Sequence, residues 1–324
     1  MPKVSVVIPV YNVEKYIERC ARSLFEQTLD NIEYIFIDDY SQDNSINILE
    51  RVLLEYPNRR PQTTIIRLKQ NIGAANVRKK GIFLANGEYI IQCDSDDWVE
   101  KETYELMYNM AVSKNLCIVI CDIFKSGIYE DKSLKHKDKR SIIFDCLIGN
   151  MDCGLWNKLV KKEIFYNDII YPEAHLAEDF ALTPQLIYYS KNIKHFNKAL
   201  YHYCDNPESV TRVVSKEKVL LNVSQQISNV ELLITFFQRE RFILPEYVVA
   251  VMKWRCRFWY FPILHTYEGY KLWKNLYPEL NKTFLFYKKI PFRKKVVFLL
   301  FYLRLASLRK LLKSLLRYSK TRND

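Results

Sequence analysis

One strand and the residues it delivers limit the folds open to this chain more than any other stretch. Gly87-Glu88-Tyr89-Ile90-Ile91-Gln92-Cys93 reads as a short buried strand with no breaker inside it, and it runs straight into Asp94-Ser95-Asp96-Asp97. Three carboxylates in four residues repel one another, and a shared cation relieves that repulsion most readily. An oxygen-rich donor set suits a hard divalent ion, Mg2+ or Mn2+, which keeps open positions for substrate phosphates. The plain alternative is a solvated acidic turn. A position at the carboxyl end of a buried strand, where α/β proteins bind ligands, favours the metal–phosphate reading.

The preceding residues repeat that pattern. Val4-Ser5-Val6-Val7-Ile8 is a β-branched run ended by Pro9 and followed by Val10-Tyr11-Asn12. Residues 13–28 carry Val13, Tyr16, Ile17, Cys20 and Leu24 at helical spacing. A second strand, Glu33 to Asp38, closes on Asp38-Asp39, and Ser41-x-Asp43 offers a cap for a helix to about Tyr56. A third strand at 63–68, a turn at Asn71-Ile72-Gly73, helices at about 74–85 and 101–114, and a fifth strand at 117–121 follow. Strands alternating with helices predict an α/β fold, a doubly wound, mostly parallel, Rossmann-like sheet with Tyr11, Asp39 and Asp94 to Asp97 at one crevice. No Gly-x-Gly-x-x-Gly follows the first strand and no Walker motif occurs, so phosphate must be held in another way.

Beyond the fifth strand, 125–150 is polar and charged and reads as an insertion or lid. Gly154 to Val160 precedes a short helix, Ala177-Glu178-Asp179-Phe180 opens a helix to about Tyr189, and 193–197 and 200–204 read as two short strands. From Ser215 onward only helices are expected, broken near Pro245, Pro262, Pro278 and Pro291. The expected division is 1–212, binding nucleotide and carrying the chemistry, and 213–324, a helical region whose leucines at 215–290 offer a homodimer surface.

Charge excludes one broad class. Of the net +12, residues 286–324 contribute +11, from twelve Lys and Arg against Asp324 alone. The rest is close to neutral, unlike a uniformly basic nucleic-acid binder, so no nucleic acid partner is expected. In the tail, Val296 to Leu303 is apolar, and Leu305, Leu308, Leu311, Leu312, Leu315 and Leu316 then alternate with Arg304, Arg309, Lys310, Lys313 and Arg317. That pattern is too short and interrupted to span a bilayer, and fits a helix lying through 288–320 on an anionic membrane surface. The bland alternative packs those leucines on the protein. The eight cysteines form no Cys-x-x-Cys, the five histidines show no zinc spacing, and no signal peptide opens the chain. A cytoplasmic protein with reduced thiols, peripheral on the inner face of the cell membrane, is the expectation.

Several motifs coincide in order: Pro-Val-Tyr-Asn after the first strand, Ile-Asp-Asp-Tyr-Ser-Gln-Asp-Asn-Ser, Asn-x-Gly with Arg78 and Gly81, Gly-Glu-Tyr-Ile, Asp-Ser-Asp-Asp, and later Glu-Asp. Over about residues 3–212 this resembles the family 2 glycosyltransferases with the GT-A fold, in the bacterial form that builds capsule, exopolysaccharide or lipopolysaccharide side chains. The resemblance implies a nucleotide-sugar donor (a UDP-sugar favoured), a divalent metal, and transfer with inversion to a saccharide acceptor, lipid-linked in the preferred reading. It places Pro9, Tyr11 and Asn12 at the nucleotide, with Tyr11 stacking on the base. Asp39 contacts base or ribose, Arg78 is the basic residue after Asn-x-Gly, and Asp94 and Asp96 lie toward the donor. Asp96 and Asp97 hold the metal, with Asp97 the better ligand, and Asp179 is the general base.

Two departures stand out. Tyr40 occupies a position that is usually glycine, and Asn76-Val77-Arg78-Lys79 replaces the usual Ala-Ala-Arg-Asn. No Gln-x-x-Arg-Trp marks a processive synthase, so one sugar per encounter is expected. Trp156, Asn157, Lys158, His202 and Arg212 are candidates for the acceptor side, with a core role as the alternative for Trp156. The competing readings are a polyprenyl-phosphate sugar transferase, a nucleotidyltransferase, and a membrane-bound scaffold with a relict site. A nucleotidyltransferase should carry a Gly-rich basic loop after the first strand, and Pro9-Val10-Tyr11-Asn12 is not one. Intact acids at Asp39, Asp96, Asp97 and Asp179 speak against the scaffold.

Overall fold

Strands that are apolar at nearly every position must be covered on both faces, and the first hundred residues achieve this by alternating strand with helix. The computed structural model describes residues 1–125, 138–173, 176–206 and 215–304, and the backbone of 128–130. The chain divides into two compact units, Met1–Ser209 and Val210–Asp324.

In the first unit, β1 (Val4–Val10), β2 (Ile32–Asp38), β3 (Thr63–Arg67) and β4 (Tyr89–Gln92) form a parallel block in the order β3-β2-β1-β4. Helices α1 (Ile17–Phe25), α2 (Ser45–Leu54) and α3 (Ala74–Leu84) connect them. Val4, Val6, Ile8 and Val10 of β1 share one hydrophobic cluster with Cys20 and Leu24 of α1 and Leu49 of α2. Val7 is buried outside that cluster, and α3 meets it there through Gly81. A Cβ on Gly81 would lie 2.2 Å from Val7 Cγ1, so only glycine lets α3 sit this close to β1. Gly87 opens β4 for a similar reason, because a Cβ there would lie 2.5 Å from the backbone nitrogen of Ser5.

The parallel sheet expected from the alternation is thus present, and it is extended into a mixed one. β5 (Trp98–Val99), α4 (Thr103–Ser113), β6 (Ile118–Lys125), β7 (Ile128–Glu130), α5 (Lys139–Ile148), β8 (Lys158–Lys161), α6 (Glu178–Tyr189) and β9 (Ile193–Tyr203) follow. β8 lies antiparallel between β4 and β6, β9 runs parallel to β6, and β5 and β7 pair antiparallel with β9 and β6.

Three expectations are corrected here. The segment read as an insertion or lid contains α5, whose first turn is capped by the Asp138 carboxylate at 2.7 Å from the Ser141 N–H and which buries Ile142, Ile143, Cys146 and Leu147. The two short strands at 193–204 are one, β9, which stays paired with β6 although its register jumps from Cys121↔Phe196 to Asp122↔Ala199 and again to Ile123↔Tyr201. Asn197 and Lys198 form that bulge and look like a turn in the sequence. Lys158 to Lys161, read as a lead into a short helix, is a strand, and a 3-10 turn at Lys162–Tyr166 follows it.

The second unit is helical over its described residues: α7 (Lys216–Arg239), α8 (Glu246–Phe258), α9 (Tyr267–Asn275), α10 (Leu280–Thr283) and α11 (Phe292–Tyr302). Pro245 and Pro291 stand at the N-caps of α8 and α11, where a missing N–H is harmless. Trp254, Trp273, Phe284, Phe298 and Phe301 are buried together, with Phe298 stacked on Phe284 at 4.7 Å. The Arg257 guanidinium is also buried, lies over the Trp273 ring, and donates to the carbonyl oxygens of Leu276 and Tyr277 and to Asn281 Oδ1, tying the end of α9 to α10.

Candidate active site

In the order β3-β2-β1-β4 the chain reverses direction across the sheet at β1, and the loops leaving the carboxyl ends of these strands surround that point. The loops after β1 and β2 are stitched together. The Asn12 N–H donates to Ser41 Oγ at 3.1 Å, the Gln42 N–H to Asn12 Oδ1 at 2.8 Å, and the Val13 N–H to Ser45 Oγ at 2.8 Å. Asn12 and Tyr40 both adopt left-handed backbone, with φ of 51° and 68°. Tyr11 and Tyr40 project from these adjacent loops and are 44% and 49% exposed. Pro9 lies just beyond the β1–β4 pairing, which ends at Val7↔Gln92, so the ladder asks no N–H of it.

Asp39 is buried, and its two carboxylate oxygens accept the N–H groups of Ile72 (2.7 Å) and Gly73 (2.9 Å) at the start of α3. The carboxylate expected at the base or ribose therefore braces the helix that carries Arg78. The Arg78 guanidinium forms ion pairs with Asp94, at 2.6 Å, and with Glu178. Its Nε is buried with no hydrogen-bond partner.

The three acids after β4 have different surroundings. Asp94 is paired with Arg78. Asp96 is half-buried, and its Oδ2 accepts the Asn206 amide at 3.0 Å. Burial first, and then the neighbouring Asp94, raise its carboxyl above the ordinary range. Asp97 is fully buried, its Oδ2 accepting the Tyr201 hydroxyl at 2.6 Å and its Oδ1 the Cys204 N–H at 2.7 Å. Burial, then Asp94 and Asp96, push it up to about 8. The Asp94 N–H donates in turn to the Tyr201 hydroxyl at 3.2 Å.

Asp179 stands in the first turn of α6, after Ala177 at a left-handed φ of 56°. Its Oδ1 is buried with no hydrogen-bond partner. Burial first, then Glu178 and Asp94, hold its carboxyl well above the ordinary range, against the pull of Arg78 and Lys158. Arg78, Gln92, Leu155, Glu178 and Asp179 line one narrow recess. Arg78, Asp94, Glu178 and Asp179 thus come together although Arg78 and Glu178 stand 100 residues apart in sequence.

The residues assigned to the acceptor are placed differently. Trp156 is buried and stacks on Tyr201 at 4.8 Å, and a Cβ on Gly154 would clash with its indole. Asn157 is buried with its amide on the Cys121 carbonyl at 2.8 Å. Lys158 is buried too, its Nζ donating to the carbonyl oxygens of Asp152 and Gly154 and to Asn157 Oδ1. All three are buried and bonded within the protein, Trp156 against Tyr201, so none of them presents a free polar group for an acceptor in this structure. The His202 ring is enclosed between Trp98 (3.4 Å) and Phe124 (4.6 Å), with Nε2 on Glu100 at 2.7 Å. Arg212 lies outside the described residues. Sequence reasoning missed Tyr201, Asn206 and the pairing of Glu178 with Arg78. Tyr201 reads as one more aromatic on a strand, and Glu178 as a helix-capping acid.

A divalent cation at the end of β4 needs oxygens with lone pairs to spare. Among the described residues no three metal-binding side chains converge. Asp97, expected as the better ligand, has both oxygens engaged in the interior. Asp96 fits best: it is partly open and only its Oδ2 is engaged among the described residues, which leaves Oδ1 for a cation. One carboxylate plus phosphate oxygens and water is a donor set that Mg2+ or Mn2+ accepts.

The order of the motifs along these strands is decisive when set against known families: residues 5–171 match the model of glycosyl transferase family 2. The chain belongs to that family. A curated member similar to it is the putative glycosyltransferase EpsH of Bacillus subtilis, 30% identical over 227 residues, which take in 67% of this chain and 64% of that one. The chain thus spans a little under two thirds of that relative's length. Among solved structures, S. aureus TarS 1–349 in complex with UDP-GlcNAc has a TM-score of 0.58 at 19% identity, covering 79% of this chain and 81% of that one. The mannosyltransferase PcManGT from Pyrobaculum calidifontis, in complex with GDP-Man and Mn2+, has a TM-score of 0.54 at 14% identity, covering 96% of this chain and 87% of that one. Both show the fold to be of the GT-A kind.

Proposed function

We propose that this chain transfers one sugar from a nucleoside-diphosphate sugar, with inversion, to a hydroxyl of a saccharide acceptor in surface polysaccharide synthesis. The observation that carries the reading is Asp179. An acid with a buried, unpartnered oxygen and a raised pKa, on the recess lined by Arg78, is equipped to take a proton. The nucleotide sugars bound by TarS and PcManGT support a donor of this class.

Tyr11 and Tyr40 hold the base between them, and the hydrogen bonds through Asn12 fix the spacing of their loops. Asp39 acts through α3, keeping the Ile72–Gly73 backbone in place so that Arg78 reaches the end of β4. Arg78, held from both sides by Asp94 and Glu178, stands at the end of β4, where its guanidinium orients the diphosphate. Asp96 would hold a divalent ion, which when bound would supply positive charge to the leaving diphosphate. In the single displacement the acceptor oxygen bonds to the anomeric carbon as the bond from that carbon to the phosphate oxygen breaks. The electron pair leaves with the diphosphate, and the acceptor proton passes to the Asp179 carboxylate. A lipid-linked acceptor would place this chemistry at the cytoplasmic face of the membrane.

The test is a melting-temperature screen of the full chain against UDP, GDP, TDP, CMP and their sugars with and without Mn2+, followed by transfer assays. One nucleotide should raise the melting point by mass action, with Mn2+ and in an Asp96-dependent way. Asp179→Asn should keep that binding and lose transfer about a hundredfold or more. No shift with any nucleotide would sink the transferase reading, and full activity in Asp179→Asn would remove its base.

A further inference from the structure

We propose that α11 and the turn before it form a docking surface for an anionic lipid bilayer. Helix α11 is apolar on two opposite sides. Val297, Phe298 and Phe301 face inward and are buried, Phe298 against Phe284 and Trp273 and Phe301 against Phe261. At 100° per residue Phe292, Val296, Leu299 and Leu303 fall on the side opposite to them. Phe292 is 79% exposed, Leu299 41% and Leu303 54%, and Phe286 just upstream is 82% exposed. A helix that belonged only to the fold would be polar on that side.

The charges around the stripe identify what covers it. Lys288, Lys289, Arg293, Lys294, Lys295 and Arg304 adjoin these apolar residues along the chain, Lys289 lying over the Tyr247 ring and Arg304 over Tyr270, and no Asp or Glu occurs from Leu280 to Asn323. A protein partner would need a matching acidic rim around an apolar patch. A bilayer with anionic headgroups supplies both at once, acyl chains for the phenylalanines and leucines and headgroup charge for the cations. Among the described residues no helix is long and apolar enough to cross a membrane, so the surface lies on the bilayer. The leucine-rich residues expected to join it, 305–320, lie outside the described residues. The surface is argued from exposure and charge alone, and stands whether or not the transferase reading does.

The full chain, without substrate, is sedimented with vesicles of phosphatidylcholine alone and of phosphatidylcholine mixed with phosphatidylglycerol. Binding is expected only to the mixed vesicles, and it should weaken as salt is raised. The pair Phe292→Ser and Leu299→Ser should weaken it on the order of a hundredfold. Both side chains are exposed, so the melting temperature of this variant should match the parent, which separates lost docking from lost folding. Equal binding to both vesicle types would overturn the proposal. So would an unaffected Phe292→Ser/Leu299→Ser variant beside a Leu308→Ser/Leu312→Ser variant that fails to bind, which would assign docking to the tail alone. A vesicle-independent dimer that this variant splits would overturn it in favour of a second copy of the chain.

Discussion

Tyr40 holds a left-handed backbone conformation, φ 68°, which costs a residue with a side chain about 1–2 kcal/mol. Glycine would adopt it freely, and the family usually has glycine there. In the proposed reading its exposed ring forms one wall of the base site. Tyr40→Gly should therefore stabilise the fold by about 0.5–1 kcal/mol in thermal melts. It should also weaken nucleotide binding about tenfold by calorimetry, the loss of one stacking wall. A purely structural Tyr40 would move the first quantity and leave the second alone. Asp179 gives a second residue-level prediction, with the sign set by its raised carboxyl. An unfolded Asp releases its proton near pH 4, about 3.9, while the native one retains it to higher pH. Over that window the native state binds the extra proton, so stability falls as pH rises. Asp179→Asn removes the dependence and should melt above the parent at pH 7–8, about level with it near pH 4. In the parent, kcat/KM should rise with pH as the carboxyl ionises, through a pKa above the usual carboxylate range. Much of this site is written in the sequence as acids and tyrosines at strand ends. Their partners are not. Nothing local tells that Asp39 will bond to Ile72 and Gly73, or that Arg78 will bridge Asp94 to Glu178 across the chain.

At the scale of elements, the contact of α3 with β1 decides where Arg78 stands. Gly81 admits it, since any Cβ would press on Val7 at 2.2 Å. Gly81→Ala should destabilise by about 1–3 kcal/mol, by overpacking. Adding Val7→Ala should recover part of that loss, a coupling a double-mutant cycle in urea would read. If the two effects merely add, the packing account of Gly81 fails. β1 to β4 and β6, with the helices between them, are legible because each strand is a continuous β-branched or aromatic run, whereas the two-residue β5 is not. Elements whose sequence pattern departs from that rule were not. β8 begins with a lysine, Lys158, which is buried only because two backbone carbonyls and Asn157 take up its ammonium. β9 contains a polar bulge at Asn197 and Lys198 that reads as a turn. α5 follows a charged stretch that hides its buried face.

For the molecule as a whole, the site at the end of β4 and the surface on α11 belong to separate compact units, so their ligands should be separable. In the proposed reading a cation would rest on Asp96, since Asp97 is closed inside and Asp94 is paired with Arg78. A single carboxylate would hold Mn2+ weakly, and a donor diphosphate would supply the further oxygens such an ion needs. Mn2+ alone and nucleotide alone should each raise the melting temperature little, and the two together by more than their sum. That excess is a coupling free energy, so the factor by which Mn2+ tightens nucleotide must equal the factor by which nucleotide tightens Mn2+. Titration calorimetry in both orders measures the two factors independently. Asp96→Ala should abolish the excess, while Phe292→Ser/Leu299→Ser should leave it untouched. A large shift with Mn2+ alone would mean that the protein holds the ion by itself, with Asp97 turned outward as a second ligand.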